Sequence, residues 1–109
     1  MDGVSEERLS ALLYREHLRR RLKQCDVPAS LHEGLVEYFA ARRRTGGFLQ
    51  AVLENNLRQA CARADPFNGP YLVAFVLFLN NYVPATSWGS VGEVEAWLAD
   101  PAPAPEIFE

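Results

Sequence analysis

The chain has 109 residues and a mass of 12.2 kDa, room for one domain. Hydrophobic residues make up 49% and charged residues 23%, which excludes a disordered or collagen-like chain. A net charge of −3 excludes a generically basic nucleic-acid coat, and 6 Phe, 4 Tyr and 2 Trp are enough to build a core.

The apolar periodicity is helical throughout. Ser5 is placed to cap a first helix running to about Gln24, with Glu6 and Glu7 in its first turn. Leu9, Leu12, Leu13, Leu18 and Leu22 form its apolar stripe. Asp26-Val27-Pro28 breaks the chain, and a second helix follows from Pro28 to about Arg43. Leu31, Leu35, Tyr38, Phe39 and Arg42 share its inward face. Gly34 costs that helix up to about 1 kcal/mol relative to Ala, and reads either as a close helix crossing or as drift. Thr45-Gly46-Gly47 ends it.

A third helix is expected from Gly47 to Ala64, burying Leu49, Val52, Leu53, Leu57, Ala60, Cys61 and Ala64. Asn56 falls beside this stripe, where a buried amide needs a partner such as a loop carbonyl. Asp65 to Pro70 is a concentrated turn signal, and Pro70 suits the start of a fourth helix over 71–82. No charged residue occurs from Pro66 through Gly92. Apolar on every side, the fourth helix must be enclosed by its own chain or by another copy. A strand is the alternative there, but the flanking segments offer it no partner. Ser90 and Glu93 make a capping box for a fifth helix to about Ala99, with Val91, Val94, Trp97 and Leu98 inward. Residues 100–109 form a proline-rich, extended tail. The fold class is therefore all-α: a single domain over 1–99, a compact bundle of about five helices around the 71–82 helix.

Chemistry-bearing motifs are sparse. Cys25 and Cys61 stand alone, as thiols in a reducing cytoplasm do, with no metal-ligand spacing to any His. The N-terminal residues lack an apolar signal core, and the longest apolar run, Tyr71 to Leu79, is half a bilayer span. A cytoplasmic protein without membrane insertion is the expectation. His32, Glu33 and Glu37 lack the second histidine of a metalloprotease pair, and Ser90 is better used as a cap than as a nucleophile. Neither an enzyme nor a cofactor or metal is expected.

Charge is divided unevenly, +3 over residues 1–63 and −6 over 64–109. Two arginine triplets, Arg19-Arg20-Arg21 and Arg42-Arg43-Arg44, close the first and second helices. If those ends converge they form a basic patch for an acidic protein or for phosphates; otherwise they are solvated ends that complement helix dipoles. The six arginines are the candidate partner-binding residues. The favoured reading is a small non-catalytic protein that binds another protein. The alternative is a nucleic-acid-binding regulator, for which there is neither helix-turn-helix spacing nor a glycine-aromatic stacking motif. Self-association is also expected if one domain cannot cover the 71–82 helix.

Several segments carry a resemblance: His32-Glu33-Gly34-Leu35, Gly47 to Leu53, Asn55-Asn56-Leu57, Ala64-Asp65, Phe78-Leu79-Asn80, and Trp88-Gly89-Ser90 with Trp97. From Pro28 onward the chain resembles a family of short uncharacterised proteins encoded by bacteriophages and other mobile elements. The resemblance implies a small cytoplasmic bacterial or phage product and transfers no enzymatic activity or functional residue; for such a product, small size and absent chemistry make blocking or redirecting a host protein one expectation.

Overall fold

The computed structural model describes residues 3–64 and 69–100, which are all-helical with no strand among them. Helix α1 spans Gly3–Gln24, α2 His32–Ala41, α3 Gly47–Leu53, α4 Leu57–Arg63, α5 Leu72–Tyr82 and α6 Val91–Ala99. Short 3₁₀ turns at Ala29–Leu31, Gly69–Tyr71 and Ala85–Ser87 lead into α2 and α5 and follow α5. The proline-rich tail from 101 onward and the turn residues 65–68 lie outside the described residues.

Two helix ends explain how the bundle turns its corners. After α1, Asp26 adopts the left-handed conformation (φ 64°), and the Val27 N–H donates to the Leu22 carbonyl at 3.1 Å. That satisfies the last carbonyls and turns the chain so that Val27 is buried. The same geometry recurs at Asn55 (φ 61°), where the Asn56 N–H donates to the Ala51 carbonyl at 2.9 Å. Asn tolerates this conformation better than most side chains. Asn56 then begins a new helix, its Oδ1 accepting from the Gln59 N–H at 3.1 Å. The single third helix expected over 47–64 is therefore two, α3 and α4. Asn56 is an exposed cap instead of a buried amide seeking a loop carbonyl.

Other boundaries shift less. Helix α1 begins at Gly3, so Ser5 lies within it and is not its cap. The second helix is a 3₁₀ turn followed by α2, and it stops at Ala41 because Arg42 is left-handed (φ 58°). Ser90 caps α6 as expected, its Oγ accepting from the Glu93 N–H at 3.1 Å. Gly34 marks a close crossing: a Cβ there would lie 3.2 Å from Leu49 Cδ1, so α2 and α3 approach at this residue.

The core gathers Tyr14, Leu18 and Leu22 of α1, Leu35, Val36, Tyr38 and Phe39 of α2, Leu49 and Leu53 of α3, Phe75, Phe78 and Leu79 of α5, and Val94 and Trp97 of α6. Edge-to-face aromatic contacts knit it together, with ring centroids 6.1 Å apart for Phe39–Phe78 and 5.5 Å for Phe48–Phe75. The expected enclosure of the fourth helix by its own chain does not occur. Helix α5 buries Phe75, Phe78 and Leu79, but Val73, Val76 and Leu77 are 71, 42 and 50% exposed. Too few neighbouring elements remain to cover a second face. Likewise Leu9, Leu12 and Leu13 are 56, 59 and 52% exposed instead of lining the core. A 22-residue helix is about 33 Å long. The first turns of α1 therefore carry these leucines on a side that the other described helices leave uncovered. Val91, expected inward, is 57% exposed as well.

Candidate functional site

The two arginine triplets are built into the joints between helices. Arg19 on α1 grips Glu33 on α2 with two hydrogen bonds, 2.8 and 3.1 Å. One turn earlier Arg15 pairs with Glu37, which also receives Arg43 at 3.3 Å. Because α1 and α2 run antiparallel, residues four apart on one face four apart on the other, giving a short ladder of ion pairs. These arginines hold the Glu33 and Glu37 carboxyls below their usual range, chiefly through the hydrogen bonds from Arg19 and Arg15 respectively. Arg21 donates to Gln24 at 2.8 Å and stands 4.7 Å from the Tyr82 ring centre, while Arg20 is exposed.

The second triplet divides between two directions. Arg43 turns back to the ladder, whereas Arg42 and Arg44 reach α6. The Arg42 guanidinium lies 3.4 Å over the Trp97 ring, donates to the Trp97 carbonyl at 3.1 Å and pairs with Asp100 at 3.7 Å. Its side chain is only 11% exposed. Arg44 makes a two-pronged contact to Glu95, 2.9 and 3.0 Å, which lowers the proton affinity of that carboxyl through the hydrogen bonds. The Trp97 indole N–H donates to the Tyr38 carbonyl at 2.9 Å, and the Tyr38 hydroxyl donates to the Ser87 carbonyl at 2.7 Å. Burial pushes the Tyr38 phenol well above its usual range. Five of the six candidate arginines are thus engaged within the chain, and the triplets face different neighbours.

His32, Glu33 and Glu37 do not converge on a pocket. The His32 Nε2–H donates to the Val27 carbonyl at 2.6 Å, and both glutamates face arginines. Among the described residues no cluster of His, Cys, Asp or Glu has the grouping of a metal site. Cys25 and Cys61 are unpaired thiols, and burial raises the Cys25 thiol. A broad trough of about 680 Å³ opens between Lys23, Asp26, Ser30, His32 and Tyr71. No described helix is long and apolar enough to cross a membrane.

A different surface emerges from residues expected to be core. Val73, Val76, Leu77 and Asn80 lie at helical spacings of three, one and three and stand exposed along α5. Beside them a groove of about 60 Å³ runs between α5 and the α3–α4 corner, lined by Val52, Asn55, Leu57, Ala60, Leu72 and Val76. Leu57 is 68% exposed at its rim. The only charged residues of α4 are Arg58 and Arg63, and α5 has none. Arg63 turns away to the Gly47 carbonyl at 3.3 Å. Arg58, one position beyond Leu57, is exposed. The uncharged run was visible in the sequence; which side of it lay in water was not.

No protein-family model matches this chain, and neither does any curated protein or solved structure.

Proposed function

We infer that this chain is a small non-catalytic interaction protein, working in the cytoplasm, whose docking surface is the α4–α5 face. One observation carries the reading: Leu57 and Val76 stand in water at a groove, and Val73 and Leu77 stand exposed beside it along the uncharged α5. Contiguous exposed apolar surface of this kind, with a polar rim, marks protein-binding sites. The partner we propose is a protein, a host protein if the chain is a phage-type product. The internal pairing of Arg19, Arg42, Arg43 and Arg44 weighs against the nucleic-acid alternative, since phosphates would have to displace those partners.

A photo-crosslinker placed at Val76, compared with one at Arg44, tests the reading. A specific target protein trapped from Val76 and not from Arg44, and lost in Val73→Ser with Leu77→Gln, is the expected result. Salt-sensitive retention on DNA or RNA, abolished when both triplets become Ala, would favour the alternative instead.

A further inference from the structure

The α4–α5 groove has a complementary surface on the same chain. Leu9, Leu12 and Leu13 lie at i, i+3 and i+4 on the outer side of α1, the spacing with which an amphipathic helix seats in a groove. They stand on the N-terminal half of α1, and the sequence places Glu6, Glu7 and Arg8 just before them. The groove is apolar along its α5 side and free of acids along α4 and α5. The two surfaces cannot meet within one copy, because both are exposed in it.

We propose that the N-terminal turns of α1 dock in the α4–α5 groove of a second copy, in a reciprocal pair. Area favours this occupant. The three leucines leave roughly 300 Å² in water and Leu57, Val73, Val76 and Leu77 roughly 400 Å², by the usual area per aliphatic side chain. One contact therefore buries roughly 700 Å² and two bury roughly 1,400 Å², within the 1,200–2,000 Å² typical of stable interfaces. A groove-to-groove pair would bury roughly 800 Å², fall below that range, and set Arg58 near its own copy. The proposal rests on the reading of the α4–α5 face as a docking surface and identifies what covers it at rest. A target protein then competes with the second copy for the same groove.

Light scattering on the full chain and on two variants tests it. The intact chain is expected at 24.4 kDa, twice its 12.2 kDa. Leu9→Gln/Leu12→Gln/Leu13→Gln and Val73→Ser/Leu77→Gln are each expected at the mass of one chain, with unchanged helical circular dichroism. Mixed together they should pair again, more weakly, because one leucine helix and one groove remain intact between them. That complementation also shows that both variants are folded. A single-chain mass for the intact protein at about 100 μM would overturn the pairing and leave the docking reading standing. A pair that survives loss of the leucines but not of the groove would overturn it too, since the groove would then meet some other surface. A mixture that pairs as tightly as the intact chain overturns the reciprocal arrangement, since only one of its two contacts remains.

Discussion

Two sides of this small bundle use the same kinds of residue to opposite ends. At the α2–α6 joint, Tyr38, Arg42 and Trp97 close on one another, and each polar group named there has a partner. On the α4–α5 side, Val73, Leu77 and Leu57 are half or more exposed to water. The comparison teaches that apolar content does not locate a core. A core lies where neighbouring elements are available, and this chain has enough helices to close one side of α5 and too few for the other. The closed side should therefore govern stability and the open side association.

The sharpest way to break that distinction is Trp97→Ala. Trp97 is 7% exposed, supports the Arg42 guanidinium and donates to the Tyr38 carbonyl. Its truncation removes packing and leaves a buried carbonyl without its donor, at an expected cost of about 3–5 kcal/mol. Small domains have only about 5–15 kcal/mol in total. Urea denaturation of the variant should show a large fall in midpoint, or no folded baseline at all. Near-normal stability would mean that the joint is not the structural half of the molecule.

How much of this was legible in the sequence follows from the range over which each interaction acts. The Ser90–Glu93 cap and the helix over 71–82 are local features and were readable as such. Asn55-Asn56 was visible as a doublet. Its meaning, a stop followed by a cap, depends on the left-handed backbone at Asn55, which apolar periodicity does not encode. The arginine triplets looked like a free surface because their partners are distant in the chain. Glu33 is 14 residues from Arg19, and Glu95 is 51 from Arg44. The outward leucines of α1 were misplaced for a related reason: periodicity identifies an apolar stripe, while the placement of the other helices decides how much of it is covered.

A smaller effect sharpens the account of the closed side. The arginine partners hold Glu33, Glu37 and Glu95 below the usual carboxylate range. In acid the unfolded chain then binds more protons than the folded one, so stability rises with pH there. It should be complete above the ordinary carboxylate value near 4.3 and decline as pH falls through the lowered folded values. Glu33→Gln/Glu37→Gln should flatten that decline between about pH 5 and pH 2, as should 1 M salt, which screens these exposed pairs. Chemical denaturation at both pH limits measures it. An unchanged acid dependence in the variant would mean that the α1–α2 ladder adds nothing to the joint.

The smallest expected effect falls on the open side. In the Leu9→Gln/Leu12→Gln/Leu13→Gln background, where the chain is a monomer by the pairing argument, adding Val73→Ser/Leu77→Gln should change stability by less than about 0.5 kcal/mol. Both substitutions approximately preserve helix propensity, and neither leaves a cavity, because the side chains are 71 and 50% exposed. The monomeric background matters: in the intact chain the same substitutions would also remove an interface, and folding and pairing would be read together. A loss of 2 kcal/mol in the monomer would place Val73 and Leu77 among packed neighbours, because only lost packing costs that much at an apolar position without polar partners. A flat response leaves these residues contributing little to folding, and sustained exposure of aliphatic surface at no benefit to the fold is what a binding face requires.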